Sequence, residues 1–136
     1  MRRRGFSLPE VVIAFGLLAV AILSIVAVFM SGLRLQTQAQ KVTAATEVAR
    51  ALLEEVRTDG FSTIPATSKV YNGRNDDPTD PDTGFPPAPY PRVKIGETTY
   101  ELVVETRSHG PDRISVEVAV FWSRDEKVRL ESSFVP

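Results

Sequence analysis

Hydrophobic positions divide the chain into two differently patterned parts. Residues 11–33 are apolar almost throughout, and after them apolar residues recur every three or four positions as far as Val56. This order predicts one helix that is apolar on all sides at first and on one face afterwards. Gly60 and Pro65 are stop signals, so we expect the helix to cover about residues 7–59.

The remaining residues predict a loop and a sheet. Residues 61–92 lack periodicity and are rich in prolines, which is typical of a loop. Later, apolar and polar residues alternate in three stretches, with Ser115 and Glu117 on the polar, outward side of the second. The apolar positions of these stretches are Tyr100, Leu102, Val104, Ile114, Val116, Val118, Val120, Trp122, Val128, Leu130 and Phe134. We therefore expect an α+β fold: a long N-terminal helix packed on a small antiparallel β-sheet.

The apolar stretch is long enough to cross a membrane. Residues 11–33 would form a helix of about 34 Å, compared with about 30 Å for a bilayer core. Arg2, Arg3 and Arg4 precede the stretch, and only Arg34 follows it closely. The positive-inside rule then places the N-terminus in the cytoplasm and the rest of the chain outside.

Glu10 stands at the edge of this stretch. A carboxylate carried towards the bilayer centre costs about 2–3 kcal/mol, so Glu10 needs a partner. The three leader arginines are candidates. Cleavage after Gly5 would provide a better one, because Phe6 would then carry an α-ammonium close to Glu10 in its own chain or in a neighbour.

The residues around this carboxylate form a recognisable motif. The sequence resembles the class III signal of type IV prepilins and type II secretion pseudopilins at Gly5, Phe6, Ser7, Leu8 and Glu10. It departs from that signal at Pro9, where an aliphatic residue is commoner. The resemblance implies that prepilin peptidase cuts after Gly5 and N-methylates Phe6, and that Glu10 assists entry into a filament.

The same resemblance divides the chain into four segments. These are a cleaved leader (1–5), a transmembrane and assembly helix (6–33), its amphipathic continuation (34–60) and a globular head (61–136). The end of the helix and the last strands are similar to short minor pilins and pseudopilins of the PilV and GspI type. The loop between them has no counterpart in that resemblance.

Charge argues against a nucleic-acid protein of the usual kind. The 136-residue chain has a formal charge of −1. Loss of the leader arginines leaves 13 of the 16 basic side chains against 17 acidic ones, a formal charge of −4. Broad electrostatic capture of DNA is therefore disfavoured, although contact with nucleic acid stays an alternative without support.

The sequence offers little for catalysis or metal binding. It has no cysteine and one histidine, His109, which we expect in a solvated turn. No nucleophile elbow or phosphate loop is present, so we expect neither an enzyme nor a cofactor. Four aspartates form either a solvated acidic loop or, as the weaker alternative, a Ca²⁺ site without EF-hand spacing, namely Asp76, Asp77, Asp80 and Asp82.

These observations together predict a structural subunit of a type IV pilus-like filament. Its expected partners are prepilin peptidase, other pilin or pseudopilin subunits and an inner-membrane assembly platform. Such a subunit is embedded in the cytoplasmic membrane before it enters a periplasmic or extracellular filament. Two alternatives are a ligand-binding subunit at a filament tip and an unprocessed single-pass membrane protein. Type IV pili, type II secretion and competence systems all use this subunit plan.

Overall fold

The computed structural model describes residues 7–136 and contains one long helix and one sheet. Helix α1 covers Leu8–Asp59, in agreement with the range expected from the sequence. The strands are β1 (Lys69–Asn72), β2 (Arg92–Ile95), β3 (Thr98–Ser108), β4 (Ile114–Phe121) and β5 (Lys127–Phe134). The chain divides into two compact units, of which the first ends at Ala39 and the second covers Gln40–Pro136.

Both ends of helix α1 are explained by local hydrogen bonds and by the residues Pro9 and Gly60. The carbonyl of Ser7 accepts a hydrogen bond from the Val11 N–H at 3.2 Å, and Pro9 lies in the first turn, where its missing N–H has no helical partner. At the other end the Gly60 N–H donates to the Val56 carbonyl at 3.2 Å. Gly60 has a φ of 89°, a conformation that glycine adopts without strain and that stops the helix.

All pairs of neighbouring strands in the sheet are antiparallel. The strand order is β1-β3-β4-β5, and β2 also pairs with β3. β2 pairs with the first part of β3 and β1 with a later part, as in the pairs Arg92↔Glu101 and Val70↔Glu105. Because Glu101 also pairs with Phe121 of β4, β2 lies on the side of β3 away from β4. β5 therefore forms one edge of the sheet, and β1 and β2 share the other.

One face of the helix and one face of the sheet enclose the core. Ala45, Ala49 and Leu52 are fully buried in a single cluster with sheet residues such as Leu102 and Val118. Two alanines at this spacing let the helix approach the strands closely, and burial of each valine or leucine side chain stabilises the fold by about 1.5–3 kcal/mol. The α+β architecture expected from the sequence is confirmed.

The prediction of one uninterrupted loop over residues 61–92 was wrong. Strand β1 lies inside that range and β2 begins at its end. Tyr71 of β1 is buried, and its ring lies 5.4 Å from that of Phe85 and 6.5 Å from that of Tyr90. The four residues of β1 are too few to show a clear alternation, and pairing with β3, more than 30 residues later, fixes this strand.

The prediction that Ser115 and Glu117 face solvent was also wrong. Both are buried, at 2% and 9% exposure, so β4 is covered on both faces. Arg129 of β5 lies 2.8 Å and Arg107 of β3 lies 3.6 Å from the Glu117 carboxylate. Long arginine side chains on both neighbouring strands cover the central strand, which an alternating pattern on β4 alone does not reveal.

Candidate assembly site

Glu10 lies in the first turn of α1, whereas Gly5 and Phe6 lie outside the described residues. The unpaired N–H groups at the start of a helix favour a negative charge, so a carboxylate is suitable at this position. Within residues 7–136, the side chain of Glu10 makes no hydrogen bond or ion pair, and Glu10 is exposed. Its carboxylate is therefore open to a partner from outside this part of the chain.

An apolar surface adjoins the Glu10 carboxylate. Glu10, Val11, Ala14, Phe15 and Leu18 line one shallow groove on the helix. These positions follow the order i, i+1, i+4, i+5 and i+8, which places them on one side of the helix with the charge at its N-terminal end. A neighbouring apolar helix that carries a positive group near its own N-terminus would fit both features of this groove.

The apolar residues of the first unit are exposed on every side of the helix. Every large apolar side chain from Leu8 to Leu35 is at least 42% exposed. A continuous apolar surface of this size is unusual for a protein that stays in water. Within the described residues, α1 is the one helix long and apolar enough to cross a membrane. Lipid or other apolar helices would cover this surface.

The few hydroxyl groups in this stretch are satisfied by the helix itself. The Ser24 hydroxyl donates to the Val20 carbonyl at 2.8 Å, and the Ser31 hydroxyl donates to the Ala27 carbonyl at 3.1 Å. Such bonds remove the need for water or for another protein group, which is the condition for entering hydrocarbon. The stretch is thus compatible with a bilayer despite its serines.

The structure does not gather the four loop aspartates into a metal site. Asp76 has a left-handed backbone with a φ of 55° and forms an ion pair with Arg92. Asp77 instead accepts a hydrogen bond from the Asn72 N–H at 3.0 Å. In residues 7–136, which include all four aspartates, no group of three or more histidine, aspartate or glutamate side chains is placed to hold a metal ion.

Asp80 organises its own loop. Its Oδ1 accepts hydrogen bonds from the N–H groups of Asp82 at 3.0 Å and Thr83 at 3.3 Å, and its Oδ2 lies 3.7 Å from the Lys69 ammonium. The hydrogen bond from the Asp82 backbone is the main cause that lowers the pKa of Asp80. This carboxylate therefore stabilises a turn of the loop, which is a structural role.

His109 contacts one serine and no acid. Its Nε2 lies 2.9 Å from the Oγ of Ser115. A catalytic triad also needs a carboxylate on the other ring nitrogen, and within the described part of the chain no carboxylate bonds to His109. Ser115 is 2% exposed, which closes its hydroxyl to a substrate. The pair links the turn before β4 to the sheet.

The exposed strand β2 was not predicted from the sequence. β2 has three exposed residues, Arg92, Lys94 and Ile95, at the edge of the sheet. The signal for β2 was present, because Gly96 and Glu97 separate two runs that contain β-branched residues, and a two-residue turn with glycine is typical of a hairpin. Gly96 has a φ of 61°, as such a turn requires.

The architecture and the apolar helix define a class of protein. A single exposed apolar helix that continues into the core of an antiparallel sheet is a pilin-like architecture of the α+β class. A family model described as the prokaryotic N-terminal methylation motif matches residues 1–26. The chain thus carries the signature of type IV pilins and pseudopilins, which are structural proteins.

Two further comparisons returned no match. The comparison with curated proteins and the comparison with solved structures each found no match. The assignment to the pilin and pseudopilin class therefore depends on the motif at residues 1–26 and on the architecture.

Proposed function

We propose that this protein is a non-catalytic minor pilin or pseudopilin of the PilV and GspI type, which enters a type IV pilus-like filament through its hydrophobic helix. The observation that carries the proposal is the position of Glu10. It lies in the first turn of a helix whose large apolar side chains are all exposed, and it has no partner within residues 7–136. Such a helix needs both an apolar cover and a positive charge.

Processing would supply that charge. Prepilin peptidase cuts between Gly5 and Phe6 and N-methylates Phe6, in keeping with the motif at residues 1–26. The cut removes three arginines that hold the N-terminus at the cytoplasmic face and creates an ammonium at Phe6. Pairing of this ammonium with Glu10 of a neighbouring subunit would set the register between helices.

The proposed topology follows from the charges at both ends of the apolar stretch. The N-terminus lies in the cytoplasm and the head lies outside the cytoplasmic membrane, because the arginines are concentrated before the stretch. The subunit stays embedded in the membrane until an assembly platform transfers it into the filament. During that transfer, helices of other subunits replace lipid around α1.

Mass spectrometry of the chain purified from a host with prepilin peptidase tests the processing step. We expect a mature protein that begins at N-methylated Phe6. Gly5→Leu should leave the leader attached, because a branched side chain replaces the glycine at the cut. An intact Met1 in the unaltered chain, or a cut elsewhere, would refute the proposed processing.

Replacement of Glu10 tests the assembly step separately. Glu10→Ala should still be cut after Gly5. Its amount in the sheared filament fraction should fall at least about tenfold, which corresponds to about 1.4 kcal/mol in the free energy of incorporation. Glu10→Asp keeps the charge and should restore part of the incorporation. Glu47→Ala is the matched control, because Glu47 is an exposed glutamate of the same helix in the second unit. Unchanged incorporation of Glu10→Ala would contradict the role given to this carboxylate.

A further inference from the structure

Among the unpaired strand edges within residues 7–136, those of β5 and β2 lie on opposite sides of the sheet. β5 pairs with β4 along eight residues, from Lys127 to Phe134, and within residues 7–136 no strand pairs with its other side. At the opposite edge, β2 pairs only with β3 in the same part of the chain. An unpaired strand edge presents N–H and C=O groups to any strand that reaches it.

The directions of these strands make the two edges compatible. Each neighbouring pair of strands is antiparallel, so β2 runs parallel to β4 and antiparallel to β5. A second copy moved sideways along the sheet, without rotation, therefore brings its β2 against β5 in an antiparallel arrangement. We propose that β5 of one subunit pairs with β2 of a second copy of this chain and extends the sheet from head to head.

Charge selects one register for this pairing. With Lys94 of the second copy opposite Glu131, Ile95 falls opposite Leu130, and Arg92 falls opposite Ser133. A shift by two residues towards the start of β5 places Arg92 opposite Glu131 but also Lys94 opposite Arg129, so that one attraction is offset by one repulsion. A shift by one residue would turn apolar side chains to the wrong face. The register with Lys94 opposite Glu131 is favoured by charge, because it joins opposite charges without placing like charges opposite each other.

Lys94, Glu131 and Ile95 are available for this contact, whereas Arg92 already pairs with Asp76. Within the described residues neither Lys94 nor Glu131 forms a salt bridge, and Ile95 is 44% exposed. Ile95 lies two residues from the half-buried Val93 and so shares the helix-facing side of the sheet with Leu130. A groove of about 480 Å³ lies between α1 and β5, and its lining includes the apolar Leu53 and Leu130 as well as charged side chains such as Arg57. The Ile95 side chain would pack against the apolar part of this groove.

The contact rests on the proposed function and extends it. Because β5 and β2 are different surfaces, the contact is head-to-tail, and a pair of copies keeps one free β2 edge and one free β5 edge for other subunits. Only four residues of β2 take part, so the pairing is short. The apolar helix would provide most of the association, and the edge contact would fix which heads become neighbours.

Cysteine cross-linking tests the contact in the full chain, which contains no native cysteine. Two differently tagged chains, Ile95→Cys and Leu130→Cys, are co-expressed in bacterial membranes and oxidised. We expect a mixed disulfide dimer at least fivefold above that of the control pair Val70→Cys and Leu130→Cys. Val70 is 54% exposed on β1, the other strand of the same edge. A yield equal to the control would overturn the proposal, as would cross-linking of Leu130→Cys only to other proteins.

A charge exchange provides a second test. With the same cysteine pair, Glu131→Lys or Lys94→Glu alone should lower the yield of the dimer several-fold, and the two together should restore it. If either substitution lowered the dimer yield by disturbing the fold, the second substitution would not restore that yield. If neither change matters, the register is refuted.

The same samples separate this proposal from the proposed function. Chains that begin at N-methylated Phe6 but give no dimer above the control would refute the edge contact alone. Dimers between chains that keep the leader would leave the edge contact standing and refute the proposed processing.

Discussion

The two parts of helix α1 have opposite relations to their surroundings. Before Ala39 the large apolar side chains are exposed on all sides, whereas Ala45, Leu52 and Val56 in the second unit are completely buried. The apolar side chains of the second part pack inside the head, whereas those of the first part have no apolar contacts of this kind within the described residues. One continuous helix therefore performs two tasks, because only its second part has a sheet to pack against.

The largest expected effect comes from removing a core side chain of the second part. Leu52→Ala should lower the free energy of unfolding of the head by about 2–5 kcal/mol, since Leu52 is fully buried. Leu23→Ala is the control, because Leu23 is 69% exposed in the first unit. Denaturant unfolding of the full chain in detergent, followed by Trp122 fluorescence, measures both. Equal losses for the two variants would contradict the division between the parts.

Two glycines sharpen the same comparison. A Cβ on Gly73 would lie 2.5 Å from the carbonyl oxygens of Leu102 and Pro91, whereas a Cβ on Gly16 would meet nothing within 4 Å. Gly73→Ala should therefore destabilise the head by about 1–3 kcal/mol. Gly16→Ala should leave head unfolding unchanged, and it should affect only the approach of a neighbouring helix. Thermal unfolding distinguishes these outcomes, and a stable Gly73→Ala head would show that the loop can move aside.

The ion pairs of the sheet should have a smaller effect. Glu105, Glu117 and Glu131 are direct neighbours across β3, β4 and β5, and Arg129 approaches the central glutamate to 2.8 Å. Arg129→Ala should lower the free energy of unfolding by about 1–2 kcal/mol. The nearly buried Glu117 carboxylate would lose its closest positive partner while two other carboxylates remain beside it. Arg57→Ala breaks an exposed pair and should cost at most about 1 kcal/mol. Urea unfolding of both variants checks the difference, and a larger cost for Arg57→Ala would contradict it.

Acidification should have the smallest effect, limited to the loop of the head. Because the folded structure lowers the pKa of Asp80, its contribution to stability is present at neutral pH and is lost as the pH falls through that lowered value. We expect the near-ultraviolet circular dichroism of the tyrosines around Tyr71 to change below about pH 4. Asp80→Asn should reduce this dependence on pH. If the Asp80→Asn variant shows the same acid transition as the unaltered chain, then other carboxylates cause the transition.

Long, strongly patterned segments were predictable from the sequence. The range of α1 and the three strands around Val104, Val118 and Leu130 follow from periodicity, because each presents enough residues to repeat its pattern. The motif around Glu10 was equally visible, since it depends on neighbours in the chain. Short elements were not predictable in this way. Strand β1 has only four residues, and its Tyr71 is buried by contacts with Phe85, Tyr90 and β3.

The sequence by itself determined the apolar helix, its amphipathic continuation and the carboxylate at its start, because these are properties of neighbouring residues. Only the tertiary structure decided that Glu117 is covered by arginines from two strands and that β2 and β5 lie at opposite edges of the sheet. Those facts depend on strand order and register, which bring together residues far apart in the chain. Alternation within one strand carries no information about what covers its second face.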